Sequence, residues 1–232
     1  MKILVVVILV VLLVCGYSAL SFLRKVRVSR SLVERAVPFS LKGERTVSVL
    51  VLGDSTAVGV GADKPEDTLA ALLAREVHAT VLDNFAVSGA RVRDLARQVQ
   101  EIRKEKYSYI LIGIGANDVI RFARPEGNAE YLRILLVGLP KHDHLIVYMA
   151  GNVGGTQLFP KVLNAQYTKR TLAYHAALAA VVRDAGGTYV NLYTEPREDP
   201  FIKEPEIYLA EDGLHPSSAG YKLWFEKIRN AL

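Results

Sequence analysis

The sequence contains one cysteine, Cys15, among its 232 residues. A single cysteine excludes an intrachain disulfide and any zinc site built from several thiolates. Two nucleotide-binding patterns are also missing. No P-loop lysine is present, and neither "GVG" (59–61) nor "GIG" (113–115) extends to G-x-G-x-x-G. We therefore expect no cysteine-based metal site and no nucleotide-binding loop.

The charge pattern typical of nucleic-acid-binding proteins is absent as well. The formal net charge is +5 at pH 7, but basic residues do not form a stripe interleaved with aromatic residues along the chain. Part of the positive charge follows the first apolar segment, at Arg24, Lys25, Arg27, Arg30 and Arg35. We expect no nucleic-acid partner.

The N-terminal segment has no charged residue from Ile3 to Leu23. A helix of this length would extend roughly 31 Å, about the thickness of a bilayer core. We predict a single-pass transmembrane anchor, with a cleaved signal ending at Ala19, and secretion, as the alternative. The basic residues that follow favour the cytoplasmic side for the rest of the chain, whereas a signal sequence would place it outside.

These features divide the chain into an anchor or signal segment (1–23), a basic juxtamembrane linker (24–45) and one folded domain (46–232). In the domain, apolar runs typical of buried strands alternate with segments of helical periodicity. The predicted strands are 46–52, 79–86, 107–115, 143–151 and 188–193. The predicted helices are 67–77, 91–105, 129–139, 164–186 and 217–232. This alternation predicts a three-layer α/β/α sandwich around a five-stranded parallel sheet.

Ligands of such sheets bind at the carboxyl ends of the strands, so the polar residues there are candidates for a functional site. Ser55 follows the first strand, Gly89 follows the second, and Asn117 follows the third. A serine hydroxyl, a glycine N–H and a side-chain amide in one place suit acyl-transfer chemistry. Taken one at a time, each residue is equally compatible with a polar turn or a helix cap.

A histidine with an aspartate partner precedes the last predicted helix, in "DGLHPSSAGY" (212–221). The residue before a proline is disfavoured in a helix, so His215 is expected on a loop. Asp212 is three residues away and can orient the imidazole, which would leave the other ring nitrogen free to accept a proton from Ser55. The alternative is a loop histidine that bonds only to its own turn.

Together, four segments resemble the SGNH hydrolases, the GDSL-type esterase and lipase family. The segments are "GDST" (53–56), "VSGARVRDL" (87–95), "GANDV" (115–119) and "DGLHPSSAGY" (212–221). The resemblance covers roughly 46–232, and Thr56 stands where the family name has leucine. It implies a flavodoxin-like sheet and neither a metal nor an organic cofactor.

By this resemblance, Ser55 is the nucleophile, His215 the general base and then acid, and Asp212 its orienting partner. The backbone N–H groups of Ser55 and Gly89 and the side chain of Asn117 would form the oxyanion hole. The implied function is a membrane-associated esterase, lysophospholipase or thioesterase acting on small-molecule esters, including lipid-derived ones. Alternatives are an acyltransferase or a deacetylase acting on glycans or lipids, and a non-catalytic binding module.

Two loops are expected to border the substrate. In 151–162, the side chains of Leu158, Phe159 and Val162 are candidates for contact with an acyl chain. The segment 195–209 would form another wall, and Gly59 and Gly61 would form a flexible rim beside the nucleophile. The sequence contains no signal for an oligomeric state.

Overall fold

The structure is a computed structural model that describes residues 2–44 and 46–232, with only the helical backbone described at 2, 3, 5–8, 10 and 11. The strands of this part of the chain are β1 (Ser48–Gly53), β2 (Val81–Asn84), β3 (Lys106–Gly113), β4 (Lys141–Met149) and β5 (Thr188–Asn191). They form one parallel sheet in the order β2-β1-β3-β4-β5. The predicted five-stranded parallel sheet is confirmed.

Helices cover the two faces of the sheet and fill the connections between strands. They are α1 (Lys2–Arg35), α2 (Ser55–Val58), α3 (Leu69–Glu76), α4 (Leu95–Gln100), α5 (Ala116–Ile120), α6 (Pro125–Val137), α7 (Asn164–Asp184), α8 (Pro200–Lys203), α9 (Pro205–Tyr208) and α10 (Ser218–Arg229). Single 3₁₀ turns occur at Pro65–Asp67, Val92–Asp94, Val153–Gly155 and Lys161–Leu163.

Burial on both faces explains the apolar run in β1. In β1, Leu50 and Leu52 pack into one core cluster, whereas Val49 and Val51 pack into the other. Successive side chains of a strand point to opposite faces, so a strand covered on both sides is apolar at successive positions, as residues 49–52 are. All six residues of β1 are buried.

The strand order creates a crevice at the carboxyl edge of the sheet. The chain leaves β1 for β2 on one side and returns past β1 to β3 on the other. Loops after strands diverge at such a reversal and leave room for a ligand. The segments that follow β1, β2 and β3 carry Ser55 at the start of α2, Gly89 in a loop and Asn117 in α5.

The boundaries of several elements differ from the predictions. The helix predicted at 91–105 is a 3₁₀ turn followed by α4, which ends at Gln100. The helix predicted at 129–139 begins at Pro125, a residue whose fixed φ suits the first turn. Strand β3 ends at Gly113 rather than at residue 115.

The predicted transmembrane anchor, membrane partner and single-pass location are wrong: no helix in the described ranges 2–44 and 46–232 is long and apolar enough to cross a membrane. The part of the predicted anchor at residue 1 and at the side chains of 2, 3, 5–8, 10 and 11 lies outside the described residues. In the described part of α1, basic residues follow the apolar stretch closely and lie in the same helix, at Arg24, Lys25, Arg27 and Arg30.

Helix α1 continues through the basic segment, and its last turns contact the domain. Leu32, Val33 and Ala36 pack against the core cluster on one face of the sheet. Beyond the helix, Leu41 exchanges two backbone hydrogen bonds with Leu82 of β2, at 3.1 and 3.0 Å. The division of the chain at residue 46 stays a prediction.

Candidate active site

The turn after β1 places Ser55 at the start of α2. Gly53 has φ +137°, and a Cβ at this position would lie 2.1 Å from the carbonyl oxygen of Gly113. Only glycine accepts both this conformation and this close approach. The Asp54 carboxylate then caps α2 by accepting from the Thr56 N–H at 2.9 Å.

Ser55, His215 and Asp212 form a continuous chain of contacts. Ser55 Oγ lies 2.9 Å from His215 Nε2, and His215 Nδ1 lies 2.6 Å from Asp212 Oδ2. The three residues are buried, with exposures of 9%, 5% and 0%. With the imidazole proton on Nδ1, Nε2 is available to accept the proton of the serine hydroxyl.

Local interactions hold the loop that carries this histidine. Asp212 Oδ1 accepts from the N–H groups of Leu214 and His215, at 2.9 and 3.0 Å. The Ala210 N–H donates to the carbonyl of His215 at 2.8 Å, and Gly213 has φ +66°. Both ring and backbone of His215 are therefore oriented by one carboxylate.

The charge of Asp212 is stabilised in spite of its burial. Burial raises the pKa of a carboxyl because the charged form loses its hydration. At Asp212, the hydrogen bond and charge of His215 and the two backbone N–H groups outweigh burial, so the pKa is held below its ordinary value. An ionised Asp212 can stabilise an imidazolium at His215.

Gly89 and Asn117 line the same cavity as Ser55. Gly89 has φ +81°, and a Cβ there would meet no heavy atom within 4 Å, so its backbone faces open space. The Asn117 side chain donates to the carbonyl of Ala90 at 3.1 Å. This bond joins the loop after β2 to α5, the helix that follows β3.

The residue next to Asn117 belongs to a buried network that the sequence reasoning missed. Asp118 accepts from the Val92 N–H at 3.0 Å and from Asn128 Nδ2 at 2.8 Å, and Asn128 also donates to the Tyr174 hydroxyl at 2.8 Å. Burial raises the pKa of Asp118. The signal available in the sequence was an acidic residue inside "GANDV", directly after an apolar strand.

Asp54 is a second buried carboxylate behind the serine. It accepts from the Thr56 hydroxyl at 2.8 Å, and the Tyr148 hydroxyl lies 3.3 Å from Thr56 Oγ1. Burial raises the pKa of Asp54 to about 6, although hydrogen bonds from Thr56 and the charge of His215 act in the opposite direction. The carboxylate shapes the turn and does not contact the imidazole ring.

A cavity of about 210 Å³ opens beside Ser55. Its apolar wall includes Phe201 and Leu209 from the segment 195–209, as that prediction requires. Leu158, Phe159 and Val162 do not line it: Phe159 packs on Tyr167 with ring centroids 4.9 Å apart, and Val162 is 87% exposed.

The loop turns away from the cavity at Gln157, whose N–H donates to the carbonyl of Gly213 at 2.7 Å.

Gly59 and Gly61 do not form a flexible rim. A Cβ at Gly61 would lie 2.4 Å from the Pro216 carbonyl oxygen and 3.0 Å from His215 Cβ, and one at Gly59 would clash with Thr68. These glycines allow tight packing between α2, α3 and the histidine loop.

A parallel α/β sheet whose strand ends bring a serine, a histidine and an aspartate into contact is typical of serine ester hydrolases. The chain belongs to the GDSL-like lipase/acylhydrolase family, whose model matches residues 51–223. This is a family of carboxylic ester hydrolases, and the resemblance stated from the four segments is confirmed.

Relatives and solved structures agree with this assignment. The GDSL-like esterase Rv1075c of Mycobacterium tuberculosis (strain ATCC 25618 / H37Rv) is 28% identical over 212 residues, covering 85% of this chain and 65% of that protein. A lipolytic protein of the G-D-S-L family from Veillonella parvula DSM 2008 matches with a TM-score of 0.63 at 15% identity, over 81% of this chain and 98% of that one.

Phospholipase A1 from Streptomyces albidoflavus NA297 matches with a TM-score of 0.58 at 15% identity, over 80% of this chain and 99% of that one. At these identities, the two solved structures show the shared fold alone.

Proposed function

We propose that this chain hydrolyses small-molecule carboxylic esters through an acyl-serine intermediate formed at Ser55. The observation that carries the proposal is the unbroken contact from Ser55 Oγ through the His215 ring to Asp212, with spacings of 2.9 and 2.6 Å. A serine hydroxyl is a weak nucleophile until a base removes its proton, and this arrangement supplies the base and the group that orients it.

In the first half-reaction, Ser55 Oγ attacks the ester carbonyl carbon while its proton moves to His215 Nε2. The carbonyl oxygen becomes an oxyanion, which the N–H groups of Ser55 and Gly89 and the Asn117 amide stabilise. The ester C–O bond then breaks, and the imidazolium of His215 protonates the departing alkoxide. The products of this step are an alcohol and an acyl-serine.

In the second half-reaction, water replaces the alcohol. His215 accepts a proton from the water as it attacks the acyl carbon, and the same donors stabilise the second oxyanion. The bond between the acyl carbon and Ser55 Oγ breaks, and His215 returns the proton to the serine. Asp212 keeps its charge throughout and stabilises the imidazolium in both halves.

The names of the relatives support a carboxylic ester as the substrate. The Mycobacterium tuberculosis relative is named an esterase, and the Streptomyces albidoflavus structure is a phospholipase A1. The largely apolar cavity beside Ser55 supports an acyl group, which includes acyl groups derived from lipids.

Ser55→Ala tests the assignment on p-nitrophenyl esters of increasing acyl length, using the full chain. We expect kcat to fall by about 10⁴–10⁶, since loss of the nucleophile removes the acyl-enzyme route. A fluorophosphonate should label the wild-type protein at Ser55 and leave the variant unlabelled. Ser40→Ala, which changes an exposed serine, is the matched control. Activity of Ser55→Ala within tenfold of wild type would refute the proposal.

A further inference from the structure

The last turns of α1 present one side to the domain. Lys25, Ser29, Leu32, Val33 and Ala36 recur at helical spacing and are all partly buried. Helix α1 lies entirely before residue 51, where the family match begins. The helix is therefore an addition to the matched region that nevertheless packs on it.

Two of these residues reach the cavity that contains the nucleophile. Ser29 and Val33 line the same cavity as Ser55 and His215. Phe201 and Trp224 contribute aromatic walls to it and contact each other, with ring centroids 5.3 Å apart. The cavity thus has a reactive polar side at the serine and apolar walls that a hydrocarbon chain can contact.

Contacts outside the cavity fasten α1 to the loop that carries the histidine. Lys25 Nζ donates to the carbonyl of Gln157 at 2.6 Å, and the Gln157 N–H donates to the carbonyl of Gly213 at 2.7 Å. Gly213 follows Asp212 directly. The position of α1 is therefore tied to the loop that orients His215.

The volume of the cavity indicates the length of the acyl group that it accepts. An engineered apolar cavity of about 150 Å³ in another protein binds benzene, a molecule of six carbons. At the same volume per carbon, the cavity of about 210 Å³ holds roughly eight carbons. An acyl group of this length is of medium size.

We propose that α1 is a wall of the acyl-binding pocket and that Val33 limits the pocket to acyl groups of medium length. The inference rests on the proposed ester hydrolysis, because it describes the substrate of that same site. It assigns a specificity-determining role to a helix that the sequence pattern presents as an anchor and linker.

The test is the dependence of kcat/KM on acyl length, from p-nitrophenyl acetate to p-nitrophenyl palmitate, with the full chain. For wild type we expect a rise of up to about fourfold for each methylene buried, to a maximum near the octanoate, and a decline beyond it. Val33→Trp fills the pocket. It should lower kcat/KM for the octanoate at least tenfold while that for the acetate changes less than twofold.

Glu34→Trp is the matched control, because it adds the same indole at the neighbouring exposed position. It should leave the chain-length profile unchanged. Ser29→Trp is an independent variant at the second lining position and should shorten the preferred acyl group as Val33→Trp does. Val33→Ala enlarges the pocket and should move the maximum to a longer ester.

The outcomes separate this inference from the proposed function. Wild-type hydrolysis that persists in Ser55→Ala refutes the proposed function. Serine-dependent hydrolysis with the same chain-length profile in wild type, Val33→Trp, Ser29→Trp and Val33→Ala refutes only the role of α1. If Val33→Trp loses activity on the acetate as well, Val33→Ala provides the test, because it removes atoms and adds none. If the acyl length with the highest kcat/KM is then the same in Val33→Ala as in wild type, the inference is overturned.

Discussion

At the scale of single residues, the Asp212 carboxylate has two functions that use different oxygens. Oδ1 accepts from two backbone N–H groups and shapes the loop, while Oδ2 contacts the imidazole. An asparagine preserves the first function, since its Oδ1 still accepts. It abolishes the second, because an amide N–H facing the ring selects the wrong tautomer of His215.

We therefore expect Asp212→Asn to lower kcat by about 10³–10⁴ with little change in thermal stability. Steady-state kinetics on a p-nitrophenyl ester and a thermal melt measure the two effects. A kcat within tenfold of wild type would mean that the aspartate has no part in orienting the base.

Asn117→Ala removes one proposed donor to the oxyanion. Loss of one such donor lowers kcat by about 10²–10³, and KM should change little because the donor acts on charge that develops in the transition state. Asn230→Ala, at an exposed position beyond α10, is the control. If KM instead rose by about 10²–10³ and kcat did not change, Asn117 would act in ground-state binding of the substrate.

The residues that meet at Ser55 were predictable because each lies in a short motif after a strand or before the last helix. The network of Asp118, Asn128 and Tyr174 was not, since its hydrogen bonds join segments up to 46 residues apart. An acidic residue in "GANDV" does not by itself indicate these distant partners. The raised pKa of Asp54 follows from burial, which only the folded chain shows.

At the scale of elements, close approach between α2 and the histidine loop depends on Gly61. An added methyl group would collide with the Pro216 carbonyl and touch His215 Cβ. We expect Gly61→Ala to lower kcat at least tenfold by displacing the imidazole from Ser55, because a small misplacement of catalytic groups is costly.

Gly186→Ala is the matched control for that variant. Gly186 also has a positive φ, +75°, but a Cβ there meets nothing within 4 Å. Gly186→Ala should lower the free energy of unfolding by about 1–2 kcal/mol, because alanine is strained at a positive φ, and it should leave kcat unchanged. Steady-state kinetics measure kcat, and chemical denaturation measures the free energy of unfolding. The same kcat in Gly61→Ala and Gly186→Ala would contradict the role given to Gly61.

Strands were easier to predict than the elements around them. The mostly apolar, β-branched run "TVSVLVL" is typical of a strand covered on both faces, so β1 was evident from the sequence. The early end of α4 and the 3₁₀ turns depend on local packing that periodicity does not encode. The apolar stretch before Arg24 led to the wrong prediction of an anchor, whereas the stripe through Ser29 and Val33 marks packing on the domain.

At the scale of the whole molecule, the free energy of unfolding should depend on pH through the ionisation of Asp54. Its pKa rises from 3.8 to about 6 on folding, so the folded state binds more protons than the unfolded state between these values. The free energy of unfolding therefore falls as pH rises through this window, by about 3 kcal/mol in total.

Asp54→Asn should remove this contribution, because the amide oxygen can still accept from Thr56 but carries no charge. Urea unfolding at pH 4, 5, 6 and 7 measures it. Relative to the variant, wild type should lose stability from pH 4 to 6 and then level off. A constant difference across this range would show that burial does not raise the pKa of Asp54.

The Ser55–His215 contact closes a loop of 160 residues. Helix α10, which follows His215, packs its Trp224 and Tyr221 into the core beside the sheet. During synthesis, the serine and the first four strands leave the ribosome long before the histidine does. Closing so long a loop costs chain entropy, so we expect the contact between Ser55 and His215 to form late in folding, after the local contacts within the sheet and its helices.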